Sequence, residues 1–83
     1  MQLLYFAWVR ERIGTGAEDR TLPAGITNVA ELLDWLATLS PGHAAALADR
    51  SVIRVAVDQD FVGPDAAVTD TAEIAIFPPV TGG

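Results

Sequence analysis

Cysteine is absent from all 83 residues, which excludes a disulfide framework, a thiolate metal site and a cysteine nucleophile together. Lysine is absent too, because the five basic residues are Arg10, Arg12, Arg20, Arg50 and Arg54. The domain therefore offers no side-chain amine on which an isopeptide chain could be built. Histidine occurs once, at His43, without a second His or Cys to share a metal ion. Acidic residues number 11 and the formal net charge is −6, a balance opposed to nucleic-acid binding, which needs clustered Lys and Arg. It suits good solubility and a protein partner with a basic surface. The apolar opening Met1–Val9 is too short to cross a bilayer. It has no basic residue ahead of it and no small-residue cleavage site soon after, so it reads as a buried strand and not a signal peptide. A cysteine-free small domain of this kind suits the reducing cytoplasm.

What remains is enough for one small core. A chain of this length buries roughly 60–65 % of its unfolded surface, and 51 % of its residues are hydrophobic, too many for a disordered segment. Residues 1–6 form a first strand, and Ala7–Ile13 tightens into a short helical turn that Gly14 stops. Residues 17–22 read as a polar edge strand returning antiparallel to the first. Thr27 or Asn28 caps the main helix, with Glu31 at capping-box spacing from Asn28. Val29, Leu32, Leu33, Leu36 and Leu39 then fall on one helical stripe. Ser40-Pro41-Gly42 is expected to end that helix, and His43–Leu47 to form a second short one. Val52–Val57 is a strand, Asp58-Gln59-Asp60 its turn, and Phe61-Val62 a short return. A last strand runs from Glu73 to Phe77.

The order β, β, α, then two or three strands implies an α+β fold. Its mixed sheet of four or five strands has one main helix on one face and the first and last strands parallel at its centre. This is the β-grasp, or ubiquitin-like, arrangement, expected over residues 1–77. Alternation along the strands puts Leu3, Tyr5, Ile74 and Ile76 on the helix side with the Ile53 set. Leu4, Phe6, Ala56 and Phe77 are left on the other side. An uncovered apolar patch of that kind is a docking surface.

The closing residues, Phe77-Pro78-Pro79-Val80-Thr81-Gly82-Gly83, read differently. Two successive prolines lack backbone donors and hold φ near about −65°, which stops the strand. Residues 78–83 are therefore expected to form an extended arm. Val80 and Thr81 are β-branched and favour extension, while Gly82 and Gly83 add no side chain that would bar a narrow slot. No charged side chain follows Glu73.

With these residues in hand, the chain resembles the small, sulfur-carrying subunit of molybdopterin synthase, the MoaD family. The resemblance rests on Tyr5-Phe6-Ala7 with Val9-Arg10-Glu11, Thr27 to Leu33 at the helix start, Val55-Ala56-Val57, and above all Glu73-Ile-Ala-Ile-Phe-Pro-Pro-Val-Thr-Gly-Gly83. Two departures stand out: Asp58 where the family has Asn, and Thr71-Ala72 where it has Gly-Asp, the second expected to alter the turn before the last strand.

The resemblance implies a carrier and not a self-sufficient catalyst, in keeping with the lack of a Ser/His/Asp set, a paired-carboxylate site or a Gly-rich phosphate loop. It implies that a ubiquitin-activating-like adenylyltransferase uses ATP-Mg to adenylate Gly83. Sulfur from a persulfide donor then converts the acyl-adenylate to a thiocarboxylate. The arm enters the large synthase subunit, in an expected heterotetramer, and the sulfur attacks a cyclic pyranopterin phosphate to build the dithiolene. No cofactor or metal is held by the chain itself. Contacts with both partners are expected from Leu4, Phe6, Arg10, Phe77, Pro78, Pro79, Val80, Thr81 and Gly82. Sulfur delivery to thiamine, cysteine or tRNA, and ligation as a protein modifier, remain the alternatives.

Overall fold

A computed structural model of the chain describes residues 1–79. Five strands form one sheet: β1 (Gln2–Tyr5), β2 (Ala17–Asp19), β3 (Arg54–Val57), β4 (Asp60–Val62) and β5 (Glu73–Phe77). Their order is β2-β1-β5-β3-β4, so the two most apolar strands lie at or beside the centre. β1 and β5 are parallel, and every other pair is antiparallel. The helices are α1 (Ala7–Ile13), α2 (Val29–Leu36) and α3 (Pro41–Ala46), with a 3-10 turn at Arg50–Val52. Among the described residues, no helix is long and apolar enough to cross a membrane.

The core forms between one sheet face and the helices. Leu3, Tyr5, Ile74, Ile76 and Val55 from the sheet meet Val9, Val29, Leu32, Leu36 and Leu47. Removing a side chain of this size from water is worth about 1.5–3 kcal/mol, which explains why the expected stripe of α2 locks against the sheet. The α2 start is a reciprocal cap. Asn28 Oδ1 accepts from the Glu31 N–H at 2.9 Å, and the Glu31 carboxylate reaches back to the Thr27 N–H, also at 2.9 Å. The bonds from the Thr27 N–H and the Thr27 hydroxyl hold the Glu31 carboxyl below its ordinary range.

Several boundaries differ from the sequence reading. α2 ends at Leu36, so Leu39 packs against the core from beyond the helix. Ser40-Pro41-Gly42 does not close α2; it opens α3. Ser40 is the N-cap, accepting from the His43 N–H, and Pro41 occupies the first turn, where a missing N–H costs nothing. Gly42 is there for contact: a Cβ would stand 2.4 Å from the Arg12 carbonyl oxygen of α1. β2 stops at Asp19 and not at Leu22, and β3 begins at Arg54 because Asp49 caps the 3-10 turn before it.

The Thr71-Ala72 turn is formed without a left-handed residue. No residue from Thr69 to Ala72 has a positive φ, so no glycine is demanded, and the Ala72 methyl is buried in the core. The left-handed conformations lie instead at Asp58 (φ 49°) and Gln59 (φ 73°). These two residues join β3 to β4 as a two-residue hairpin turn of the primed type.

Candidate functional site

The sheet face turned away from the helices is built row by row from the strand register. Leu4 lies beside Ala75, Ala75 beside Ala56, and Ala56 beside Phe61. The next row pairs Phe77 with Arg54. Phe61 and Phe77 belong to strands separated by β3, yet their ring centroids are 5.5 Å apart, tilted by 45°. They lean towards each other over β3, which is possible because Ala56 between them carries only a methyl group. Ala56 is accordingly buried, at 5 % exposure, and this corrects the expectation that it faces solvent. Leu4 and Phe77 are half-buried, and Phe6 is 49 % exposed.

Phe61, read from the sequence only as part of a short return strand, is not among the expected contact residues. It is 80 % exposed, the most open large hydrophobic side chain among the described residues. The sequence reading gave the turn three residues, Asp58-Gln59-Asp60, but Asp60 already belongs to β4. The two-residue turn at 58–59 makes Ala56 and Phe61 partners and so puts both on one face. A shallow cavity of about 260 Å³ opens beside the ring pair, lined by Arg54, Val55, Phe61, Val62, Phe77 and Pro79. β5 thus delivers Pro78 and Pro79 to the edge of an aromatic patch. Val80, Thr81, Gly82 and Gly83 lie outside the described residues.

Phe6 reaches the exposed side through a sharp change of direction. Its backbone is extended, and Ala7 then takes a positive φ of 52° to enter α1. For a residue other than glycine this costs on the order of 1 kcal/mol. Arg10 does not join the cavity lining. It lies along the loop after α1, where a Cβ on Gly16 would approach its Nε to 3.2 Å.

A second polar cluster sits at the opposite sheet edge. Glu18 of β2 points to the core side, level with Leu3. Its carboxylate accepts from Tyr5 Oη and His43 Nε2, each at 2.8 Å, and from Arg20 Nη2 at 2.8 Å. Partial burial pushes the Glu18 carboxyl up. The bonds from His43, Tyr5 and Arg20 outweigh it and hold the group down at about 2. Burial, and then the adjoining carboxylate, push the Tyr5 phenol well above its ordinary value. Every buried side-chain polar atom among the described residues is paired, and no group of three His, Cys, Asp or Glu there is placed to hold a metal. This cluster ties β2, β1 and α3 together, and His43 is part of it.

A five-stranded mixed sheet with its helices on one face and a proline pair leaving its central strand beside an exposed aromatic patch defines a β-grasp, ubiquitin-like domain. The chain belongs to the ThiS family, whose model matches residues 3–83. It is 41 % identical over 83 residues to the molybdopterin synthase sulfur carrier subunit of Escherichia coli K12, covering all of this chain and 99 % of that protein. The Haemophilus influenzae protein of the same name is 35 % identical over the same span, with the same coverage. Among solved structures, SAMP1 of Haloferax volcanii superposes with a TM-score of 0.74 at 28 % identity, covering 100 % of this chain and 98 % of that one.

Proposed function

We propose that this chain is the sulfur carrier of molybdenum-cofactor biosynthesis and that residues 78–83 are the arm that delivers the sulfur. The observation that carries the reading is the full-length match, at 41 % identity, to a molybdopterin synthase sulfur carrier subunit. The geometry supports it from the other side. β5 is central to the sheet, so the point at which Pro78 leaves it is held by ladders to β1 and β3.

The chemistry proceeds at the main-chain carboxylate of Gly83. A free carboxylate is a weak electrophile. ATP-Mg on an activating enzyme converts it to an acyl-adenylate, releasing pyrophosphate. The outer sulfur of a persulfide donor then displaces AMP to give an acyl disulfide. A reducing thiol cleaves its S–S bond, leaving with the donor's sulfur as a disulfide and releasing the thiocarboxylate. Its soft, ionised sulfur attacks the cyclic pyranopterin phosphate inside the large synthase subunit. The acid–base and phosphate-binding groups belong to that partner, and this chain supplies the sulfur and the docking face. Phe6, Phe61, Phe77, Pro78 and Pro79 make the docking contact, and the work takes place in the cytoplasm.

Intact mass spectrometry of the protein isolated from its own host tests the chemistry: one C-terminal oxygen should be replaced by sulfur. Recovery of the chain in covalent conjugates with other proteins, without the sulfur form, would instead identify a modifier. Removal of Gly83 should abolish dithiolene formation in reconstitution with the large subunit while the melting temperature stays unchanged. Cofactor synthesis by the truncated chain would refute the arm.

A further inference from the structure

We propose that Arg54 is a specificity-determining contact, recognised by a carboxylate that the partner protein presents beside the Phe61–Phe77 ring pair. The inference rests on the sulfur-carrier reading, in which that partner is the large synthase subunit. Arg54 stands opposite Phe77 in the β3–β5 ladder and so shares its face. Its guanidinium is already positioned. Nη1 donates to the Ile53 carbonyl at 2.8 Å and to the Ser51 carbonyl at 3.2 Å, which pins the group at the rim of the cavity that Phe61, Phe77 and Pro79 line.

The remaining donors are what give the site its chemistry. Nε and Nη2 share one edge of the guanidinium, the edge that takes a carboxylate side-on through two parallel bonds. Among the described residues, neither atom has a hydrogen-bond partner and no carboxylate lies within 4.0 Å, whereas Arg20 pairs with Glu18 and Arg50 with Asp34. Holding one edge of the group in advance lowers the entropy lost when the other edge is bound.

Charge along the face points the same way. The end where β1 and β5 begin carries Asp19, Gln2 and Glu73 in one row. The end where β5 hands over to Pro78 carries the aromatic rings and Arg54. The face is therefore acidic at one end and cationic at the other, within a chain of net charge −6. A uniformly basic partner surface would oppose Arg54 at the point where the arm departs. An apolar one would strip its water without replacement, which a charged group resists. An Asp or Glu next to an apolar knob satisfies both the guanidinium and the rings.

The test uses the full chain and the large synthase subunit from the same organism, with affinity and association rate measured at low and moderate salt. Arg54→Ala should weaken binding about tenfold and flatten the salt dependence of association. Arg54→Lys should recover only part of the loss, because an ammonium cannot offer the two-bond edge. Arg54→Glu should weaken binding further, and reversing one Asp or Glu to Arg on the partner should restore it. Wild-type affinity in Arg54→Ala and Arg54→Glu, while Phe77→Asp still weakens binding, would overturn the role of Arg54 and leave the docking face standing. Wild-type affinity in Phe77→Asp and Phe61→Asp as well would remove the docking reading itself. Thermal melts of each variant separate lost contacts from lost fold.

Discussion

His43 Nε2 lies 2.8 Å from Glu18 Oε2, and the imidazole is only 6 % exposed. An ionised carboxylate can only accept, so Nε2 carries the proton in this bond. On the other side of the ring, Nδ1 is 2.7 Å from Ser40 Oγ, the cap of α3. The single histidine thus connects an edge strand to a helix cap, and it does so where Tyr5 crosses its ring edge-on, 6.2 Å between centroids.

Replacing Glu18 with Gln should cost about 2 kcal/mol, since a neutral amide cannot accept from Tyr5, His43 and Arg20 together. The pH dependence has a defined sign. The Glu18 carboxyl is lowered from 4.5 to about 2 in the folded chain, so its contribution to stability is present above pH 4.5. It is lost as the pH falls through about 2. Chemical denaturation between pH 6 and 2 should show a steeper acid loss in the parent than in Glu18→Gln. Parallel curves would mean that the carboxylate is not held by these bonds.

Gly42→Ala should destabilise the domain by about 1–3 kcal/mol, the range for overpacking a close contact. The added methyl would meet the Arg12 carbonyl at 2.4 Å and the Ile13 Cα at 3.3 Å, both on the backbone of α1. Neither can rotate away. A melting temperature equal to that of the parent would show that α1 and α3 separate freely.

Phe61→Ser should cost no more than about 1.5 kcal/mol of folding stability, because the ring is largely in water and what the fold loses is its contact with Phe77. Affinity for the large synthase subunit should fall at least tenfold, as for other exposed aromatic anchors of an interface. Calorimetry of binding set beside a thermal melt of the free chain measures both. A large loss of stability with unchanged affinity would place the ring in the fold and not at the interface.

Gln59→Gly should stabilise the chain by up to about 1 kcal/mol. The β3–β4 turn needs positive φ at both central residues, and Gln59 adopts 73° with a side chain attached. Asp58 is better left in place. It accepts from the Glu73 N–H at 2.9 Å and donates its own N–H to the Glu73 carbonyl at 2.8 Å, bonding the turn to β5. Urea midpoints of the two proteins provide the comparison.

Much of this protein is legible in its residues alone, because the signals are local or periodic. Alternation separated Leu3, Tyr5, Ile74 and Ile76 from Leu4, Phe6 and Phe77, and the burial follows that division. Asn28 and Glu31 announced the start of α2, Gly14 the end of α1, and Pro78 the end of β5. Tertiary contact decided the rest. Ser40-Pro41-Gly42 is consistent both with the end of one helix and the start of the next, and the closeness of α1 to Gly42 accompanies the second. A lone Glu in a polar strand gave no hint of the three donors that meet Glu18, since they come from positions 5, 20 and 43. Nor could strand alternation show that Phe61 and Phe77, on strands that do not touch, close over Ala56. Periodicity assigns a side chain to a face. Which neighbours it finds there depends on the order of the strands and on how small the residue between them is.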